Sequence, residues 1–276
     1  MTAAIVGTLA GVLGLPIGSF LNVVAYRVPN GLSVVRPASA CPGCGHEIRA
    51  RDNVPVLSWL VLRGRCRDCA MRISPRYPIV EALTGLAFVL VALLLAPAIA
   101  TAQTGPELAA AILQLVAFLY LAAISIALTA IDLDVHRLPD AIVLPSYLVG
   151  AVLLTAAALL GGRPEALIPA AVGAAGSFLF YLLLVVLYPA GMGFGDVKTA
   201  GVLGLFLGYL GWAQLAVGVA AAFVLGGLFG VALLVARRAD RRTPIPFGPW
   251  MFAGAWIGIA FGAPLAAGYL DLVGLG

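Results

Sequence analysis

The chain has 276 residues, of which 62% are hydrophobic and 10% charged, with a net charge of +4 and a mean hydropathy of +1.08. A soluble globular enzyme is excluded, because such domains carry about 25% charged residues. A disordered or fibrous protein is excluded by the high aliphatic content and the lack of a Gly-X-Y period. The composition therefore predicts an all-α polytopic membrane protein.

Long apolar runs predict the helices, because crossing a bilayer core of roughly 30 Å takes about 20 apolar residues. We count seven to eight transmembrane helices, the sixth being the shortest, near 3–25, 79–100, 108–131, 139–161, 167–189, 197–210, 213–235 and 249–270. The first run lacks a basic n-region and an A-x-A site, so we expect a retained helix rather than a cleaved signal peptide. We divide the chain into a first transmembrane helix (1–26), an insert (27–78) and a transmembrane domain (79–276).

Basic residues predict the orientation. Nine of the sixteen Lys and Arg residues lie between Arg27 and Arg76. Cytoplasmic loops retain such residues. Eight spans that alternate from an external N-terminus leave only Arg163 outside, so the insert is predicted to be cytoplasmic. The basic run 237–242 is interpreted as a lipid-headgroup anchor, with substrate docking as the alternative.

The four cysteines form two C-x-x-C pairs separated by 21 residues: Cys41, Cys44, Cys66 and Cys69. This spacing is typical of four-cysteine zinc sites, which are structural because four thiolates leave no open coordination position. Two disulfides, or a redox role for the pairs, are the alternatives, and a reducing cytoplasm disfavours disulfides. We expect Gly43 and Gly45 to supply unusual dihedral angles, and His46 to lie nearby without binding the metal.

Two aspartates are predicted to meet at the cytoplasmic face. Asp132 ends the third span, and Asp196 follows alternating glycines at the start of the sixth. In a low-dielectric setting one carboxyl of such a pair stays protonated while the other activates water, as in an aspartic protease. The three alternate glycines, Gly191, Gly193 and Gly195, are expected to permit a backbone conformation that a side chain forbids, and to let a peptide approach closely.

Several stretches of the chain also match a known family in order: 18–24 with 27–29, 41–48, 53–55, 63–66, 73–81, 131–132 with 138–140, 191–198 and 243–249. Together they resemble the bacterial prepilin peptidases. These are the type IV prepilin leader peptidase and N-methyltransferase enzymes of pilus and type II secretion systems, in the GxGD class of intramembrane aspartyl proteases.

The resemblance implies that Asp132 and Asp196 are the catalytic pair and that Gly193 and Gly195 complete the GxGD motif. It implies a zinc site at the four cysteines and methylation of the new N-terminus by S-adenosylmethionine. Gly64 and Arg65 lie in the region tied to that methylation. The implied substrates are prepilins or pseudopilins in the bacterial inner membrane, cleaved at its cytoplasmic face, with no nucleic-acid partner.

Two further residues are candidates for supporting roles. Lys198 either extends to the interface or, as a cation, keeps one carboxylate ionised. Glu81 either orients a substrate amine or pairs with an arginine. A proton-coupled transporter is the alternative function, with Asp132 and Asp196 as an ion relay.

Overall fold

The computed structural model describes residues 1–189, 191–237 and 245–274. These residues contain nine α-helices and two isolated β-bridges but no strand. The helices are α1 (Thr2–Arg27), α2 (Leu57–Val61), α3 (Arg76–Thr101), α4 (Gly105–Val135), α5 (Asp140–Leu160), α6 (Leu167–Leu187), α7 (Phe194–Leu210), α8 (Trp212–Val235) and α9 (Gly248–Leu272). Of the basic run 237–242, only Arg237 lies within the described residues.

Each of the eight predicted apolar runs forms a helix. Seven helices are long and apolar enough to cross a membrane, and the long helix outside that group is α7, with 17 residues. The prediction of an all-helical chain with seven to eight spans is thus confirmed. The protein is a multi-pass membrane protein.

Contacts divide the chain into two compact units, Met1–Ala102 with Phe118–Ala130, and Gln103–Ala117 with Ile131–Gly276. In the first unit, α1 packs antiparallel to α3 through small residues. A Cβ atom added to Gly14 would lie 2.8 Å from the Cα of Gly85, and one added to Gly18 would lie 2.7 Å from the Cα of Glu81. Small residues let membrane helices approach at backbone distance, which explains the glycine-rich composition.

In the second unit, α6 and α7 are antiparallel, as are α8 and α9. Gly173 meets the backbone of Gly204, and Gly208 meets the backbone of Pro169. Helix α5 instead runs parallel to α7, since Tyr147 lies beside Lys198 while Gly150 lies beside Phe206. Therefore α5 and α7 begin at the same end of this unit.

Candidate active site and metal centre

The carboxylate of Asp132 lies at the start of helix α9. Asp132 is on the last turn of α4 and is 5% exposed. Its Oδ2 accepts a hydrogen bond of 2.9 Å from the backbone N–H of Gly248, the first residue of α9. The first N–H groups of a helix have no partner within it and carry partial positive charge. The start of α9 therefore binds and stabilises this carboxylate.

The carboxylate of Asp196 is held in the same way by a different helix. Asp196 is the third residue of α7, and its Oδ2 accepts a hydrogen bond of 2.9 Å from the backbone N–H of Gly193, the N-cap. The N–H of Asp196 donates in turn to the carbonyl of Gly193 at 3.1 Å. The local sequence thus fixes the position of the carboxylate at the first turn of α7.

Leu138 joins the two helix starts. This leucine, 7% exposed, follows α4 and precedes α5. A Cβ atom on Gly195 would lie 3.1 Å from Leu138 Cβ, and one on Gly248 would lie 3.3 Å from Leu138 Cδ2. Gly195, which precedes Asp196, and Gly248, which binds Asp132, thus lie against the same leucine. The structure therefore brings together the two aspartates that the sequence singled out.

The expectation that Gly191, Gly193 and Gly195 adopt conformations closed to other residues is wrong, because none of the three has a positive φ. Gly193 has φ −86° and ψ 158°, which is ordinary extended backbone, and Gly195 lies within α7. At Gly193 an added Cβ would lie 3.7 Å from Asp196 Oδ2, an ordinary contact. The close approach of Leu138 explains Gly195 on steric grounds, whereas nothing among the described residues requires glycine at 193.

Lys198 contacts neither aspartate of the pair by hydrogen bond or salt bridge among the described residues. Its Nζ lies 2.7 Å from both carboxylate oxygens of Asp140 and 5.0 Å from the ring centre of Phe194. Its carbonyl accepts a 2.6 Å hydrogen bond from the hydroxyl of Tyr147. Lys198 therefore links the start of α7 to α5.

Sequence reasoning missed the roles of Gly248 and Leu138, although both lie in stretches quoted for the family resemblance. A signal was present at Gly248, because Pro249 follows it and proline favours the first turn of a helix. No local pattern connects the start of α9 with Asp132, since 116 positions separate the two residues.

The four cysteines gather at one point in the first unit. Their Sγ atoms lie within 4.8 Å of one another, and those of Cys41 and Cys69 are 3.7 Å apart. A tetrahedral zinc ion with Zn–S bonds of about 2.3 Å separates its sulfurs by roughly 3.8 Å. No disulfide joins them. The cluster therefore fits a closed tetrahedral metal site, and the exposed His46 lies outside it.

The two cysteine pairs form matching turns. The N–H of Cys41 donates to the carbonyl of His46 at 3.0 Å, and the N–H of Cys66 donates to the carbonyl of Met71 at 2.8 Å. Backbone N–H groups of Gly43 and Cys44 lower the pKa of the Cys41 thiol to about 7. This favours the thiolate, the form that binds metal.

Each turn contains one residue with positive φ, directly after its second cysteine. Gly45 has φ +72°, as predicted, and Ala70 occupies the equivalent position with φ +57°. Gly43 is explained differently from the prediction, because an added Cβ would overlap the side chain of Met71. The second turn thus keeps a strained alanine where the first has glycine.

The proposed supporting residues of the insert lie together in the first unit. Glu81 is 8% exposed, and its Oε2 accepts a 2.7 Å hydrogen bond from the N–H of Val56. Among the described residues it forms no ion pair with an arginine. Val56 has φ +61°, which is unusual for a β-branched residue. The buried carboxylate therefore holds a strained turn of the insert against α3.

Gly64 supports the second cysteine turn. It has φ +65°, and an added Cβ would lie 2.8 Å from Cζ2 of Trp59. Its carbonyl accepts a 2.8 Å hydrogen bond from the N–H of Ile73, whose own carbonyl accepts from the Trp59 indole at 3.2 Å. Arg65 forms the neighbouring β-bridge with Arg72. Gly64 and Arg65 thus belong to the frame that carries the cysteines.

Comparison with known proteins gives two family matches. Residues 12–95 match the bacterial peptidase A24 N-terminal domain, and residues 119–231 match the type IV leader peptidase family. The first match contains the cysteine cluster, and the second contains Asp132 and Asp196.

Relatives match over nearly the whole chain. A prepilin leader peptidase/N-methyltransferase of Pseudomonas putida is 38% identical over 290 residues, covering 97% of this chain and 94% of the relative. Two proteins with the same description are each 36% identical to this chain. For the one from Aeromonas salmonicida (strain A449), the match covers 96% of this chain and 94% of the relative. For the one from Burkholderia pseudomallei (strain K96243), it covers 92% of this chain and 84% of the relative. No solved structure matches the chain.

Proposed function

Because the chain belongs to the type IV leader peptidase family, we propose that it is an aspartyl endopeptidase that removes the leader from type IV prepilins or pseudopilins and then N-methylates the new N-terminus. One observation carries the peptidase assignment. Asp132 and Asp196, from different helices, are each held by a backbone N–H at the start of a helix, and both helix starts lie against Leu138. Such a pair suits a mechanism in which two carboxyls share one proton.

In this mechanism the ionised carboxyl takes a proton from water as the water oxygen adds to the scissile carbonyl carbon. The protonated carboxyl donates to the carbonyl oxygen, which produces a tetrahedral intermediate. The carbon–nitrogen bond then breaks, and the leaving amine takes up a proton from the pair. The roles are assigned to the pair, because the carboxyls of an interacting dyad lose their protons in steps that belong to both groups.

We place the reaction at the cytoplasmic face of the bacterial inner membrane. The concentration of basic residues between Arg27 and Arg76 supports this orientation. The parallel arrangement of α5 and α7 also supports it, because both helices then begin on the side to which Asp132 is assigned. An ion relay through the bilayer is less well supported, since both aspartates lie at helix ends instead of the middle of a span.

The metal in this proposal is zinc, with a structural role. Four cysteine ligands close the coordination shell, and the ion would crosslink the two turns of an insert with little apolar core. The methyl donor is S-adenosylmethionine, which supplies its sulfonium methyl group to the new N-terminal amine. The descriptions of the relatives support methylation, and we assign Gly64, Arg65 and Glu81 to the frame of the insert that serves it.

The test uses bilayer-embedded protein and a synthetic prepilin that keeps its leader, with product mass followed over time. We expect the wild type to remove the leader, and to add a methyl mass only when S-adenosylmethionine is present. Asp132→Asn and Asp196→Asn should abolish cleavage. Asp134→Asn is the matched control, because it removes an exposed carboxylate from the same turn of α4.

The outcomes separate the two candidate functions. Cleavage that persists in either Asp132→Asn or Asp196→Asn means that the pair is not the catalytic pair. In that case, proton flux into vesicles that stops in the same variants supports the ion relay. If the protein cleaves the leader but adds no methyl group in the presence of S-adenosylmethionine, the methyltransferase activity is rejected and the peptidase activity is retained.

A further inference from the structure

The register between α6 and α7 identifies the side chain that faces Asp196. Gly173 meets Gly204, and one turn further along, Pro169 meets Gly208. In both pairs the residue numbers add up to the same value, as expected for antiparallel helices in constant register. Two turns in the other direction, the same register pairs Tyr181 of α6 with Asp196 of α7.

Along this register the α6–α7 interface consists of small side chains, and beside it Phe178 of α6 packs edge-to-face against Phe194 of α7. On the α7 side these include Ala200, Gly204 and Gly208, and on the α6 side Ala170, Gly173 and Ser177. Small residues at such an interface provide close packing and need no further explanation. Tyr181 interrupts this pattern with a large, polar-tipped side chain at the level of Asp196.

Tyr181 is fixed in place by aromatic neighbours. It is 2% exposed, and its ring centre lies 5.4 Å from that of Phe223 and 6.3 Å from that of Phe247. Phe247 directly precedes Gly248, whose N–H holds Asp132. The ring is therefore packed between the helix that carries Asp196 and the segment that binds Asp132.

The hydroxyl of Tyr181 makes no hydrogen bond within the part of the chain that the structure describes, and its oxygen is not fully buried there. It lies within electrostatic range of Asp196. The neighbours from α8 and from the start of α9 are apolar, namely Phe223, Phe247 and Met251.

We propose that Tyr181 is a third catalytic residue, whose hydroxyl donates a hydrogen bond to the scissile carbonyl oxygen as the tetrahedral intermediate forms. This inference rests on the proposed peptidase function. An unpaired hydroxyl held by a rigid aromatic cluster is preorganised for charge that develops only in the transition state.

The step balances with Tyr181 as a donor that keeps its proton. As the water oxygen bonds to the carbonyl carbon, the carbonyl π electrons move onto the oxygen. The Tyr181 hydroxyl stabilises the charge on that oxygen by hydrogen bonding while the protonated carboxyl of the pair transfers its proton to it. The other carboxyl takes the proton from the water, and the pair later supplies a proton to the leaving amine. Removing the hydroxyl should therefore slow the chemical step without weakening substrate binding.

The experiment compares Tyr181→Phe with Tyr209→Phe in the bilayer-embedded protein with the leader-bearing prepilin. Tyr209 is also buried, 3% exposed, but lies at the far end of α7. We expect Tyr181→Phe to lower kcat about 100-fold with KM unchanged, as for the loss of one oxyanion donor. Tyr209→Phe should stay within about twofold of the wild type.

Two further variants separate chemistry from packing. Phe223→Leu disturbs the same aromatic cluster but keeps the hydroxyl, so its effect on kcat should be much smaller than that of Tyr181→Phe. A fluorinated tyrosine at 181 keeps the ring and the hydroxyl, and should preserve most of the activity. Equal losses in Phe223→Leu and Tyr181→Phe, or a loss confined to KM or to thermal stability, would overturn the proposal.

Failure of the inference is distinguishable from failure of the proposed function. If the wild type cleaves, Asp132→Asn and Asp196→Asn do not, and Tyr181→Phe keeps its kcat within about twofold, only the role of Tyr181 is rejected. If the wild type does not cleave, or an aspartate variant does, the peptidase assignment itself is rejected.

Discussion

The backbone N–H of Gly248 donates a 2.9 Å hydrogen bond to Oδ2 of Asp132, joining residues 116 positions apart in the chain. This contact requires glycine, because an added Cβ would lie 2.7 Å from the same carboxylate oxygen. The position of the Asp132 carboxylate therefore depends on the start of a helix that follows it by more than a hundred residues.

We predict that Gly248→Ala reduces prepilin cleavage by about 100-fold, because displacing a catalytic group by about 1 Å has an effect of that size. Gly268→Ala is the control on the same helix, since an added Cβ there meets nothing within 4 Å. The measurement is kcat for both variants with the leader-bearing peptide. Equal activities would show that the contact does not position Asp132.

The two motif glycines should behave differently. Gly195→Ala places a Cβ atom 3.1 Å from Leu138 Cβ, so we expect lower thermal stability together with lost cleavage. Gly193→Ala has room within the chain, so we expect stability to be retained and KM to rise, because the side chain obstructs the peptide. Thermal melting and steady-state kinetics on both variants distinguish the two effects. Loss of stability in Gly193→Ala would contradict this explanation.

Metal analysis of purified protein should find about one zinc per chain, lost in Cys41→Ser and in Cys69→Ser. A closed tetrahedral site needs all four thiolates. His46→Ala is the control, since His46 is exposed and stands outside the cluster. Zinc at less than about half an equivalent in the wild type, or its loss in His46→Ala, would refute the assignment.

Exchanging glycine and alanine between the two cysteine turns should change zinc affinity in opposite directions. Ala70→Gly removes the backbone strain of an L-residue at φ +57°, and Gly45→Ala introduces such strain at φ +72°. Such strain costs about 1 kcal/mol per residue, which corresponds to roughly fivefold in zinc affinity. Competition with a chelator measures both shifts. Changes in the same direction would mean that the turns are not equivalent.

We predict that Gly64→Ala impairs methylation and spares cleavage, because it disturbs the insert beneath Trp59 and leaves the second unit unchanged. Gly31→Ala is the matched control. It has nearly the same φ, +66° against +65°, but open space where the Cβ would lie. Product masses with S-adenosylmethionine report both activities at once. An equal loss of methylation in both variants would assign the effect to the backbone conformation alone.

The sequence by itself determined the helices, the cysteine cluster and the two aspartates. Apolar length is a local property, so eight runs could be located within a few residues, and the spacing of Cys41, Cys44, Cys66 and Cys69 carried the chemistry of the site. The aspartates were identifiable because placing a charged side chain near a membrane span is energetically unfavourable, so charged residues found there are candidates for a functional site.

Only the tertiary structure decided which groups contact those residues. The partner of Lys198 is Asp140, and the donor to Asp132 is Gly248. The register between α6 and α7, extended from the contacts of Gly173 and Gly208, pairs Tyr181 with Asp196. Each of these pairs follows from the register in which distant helices pack. That register is set by glycine contacts spread over whole helix faces, which no local pattern of residues encodes.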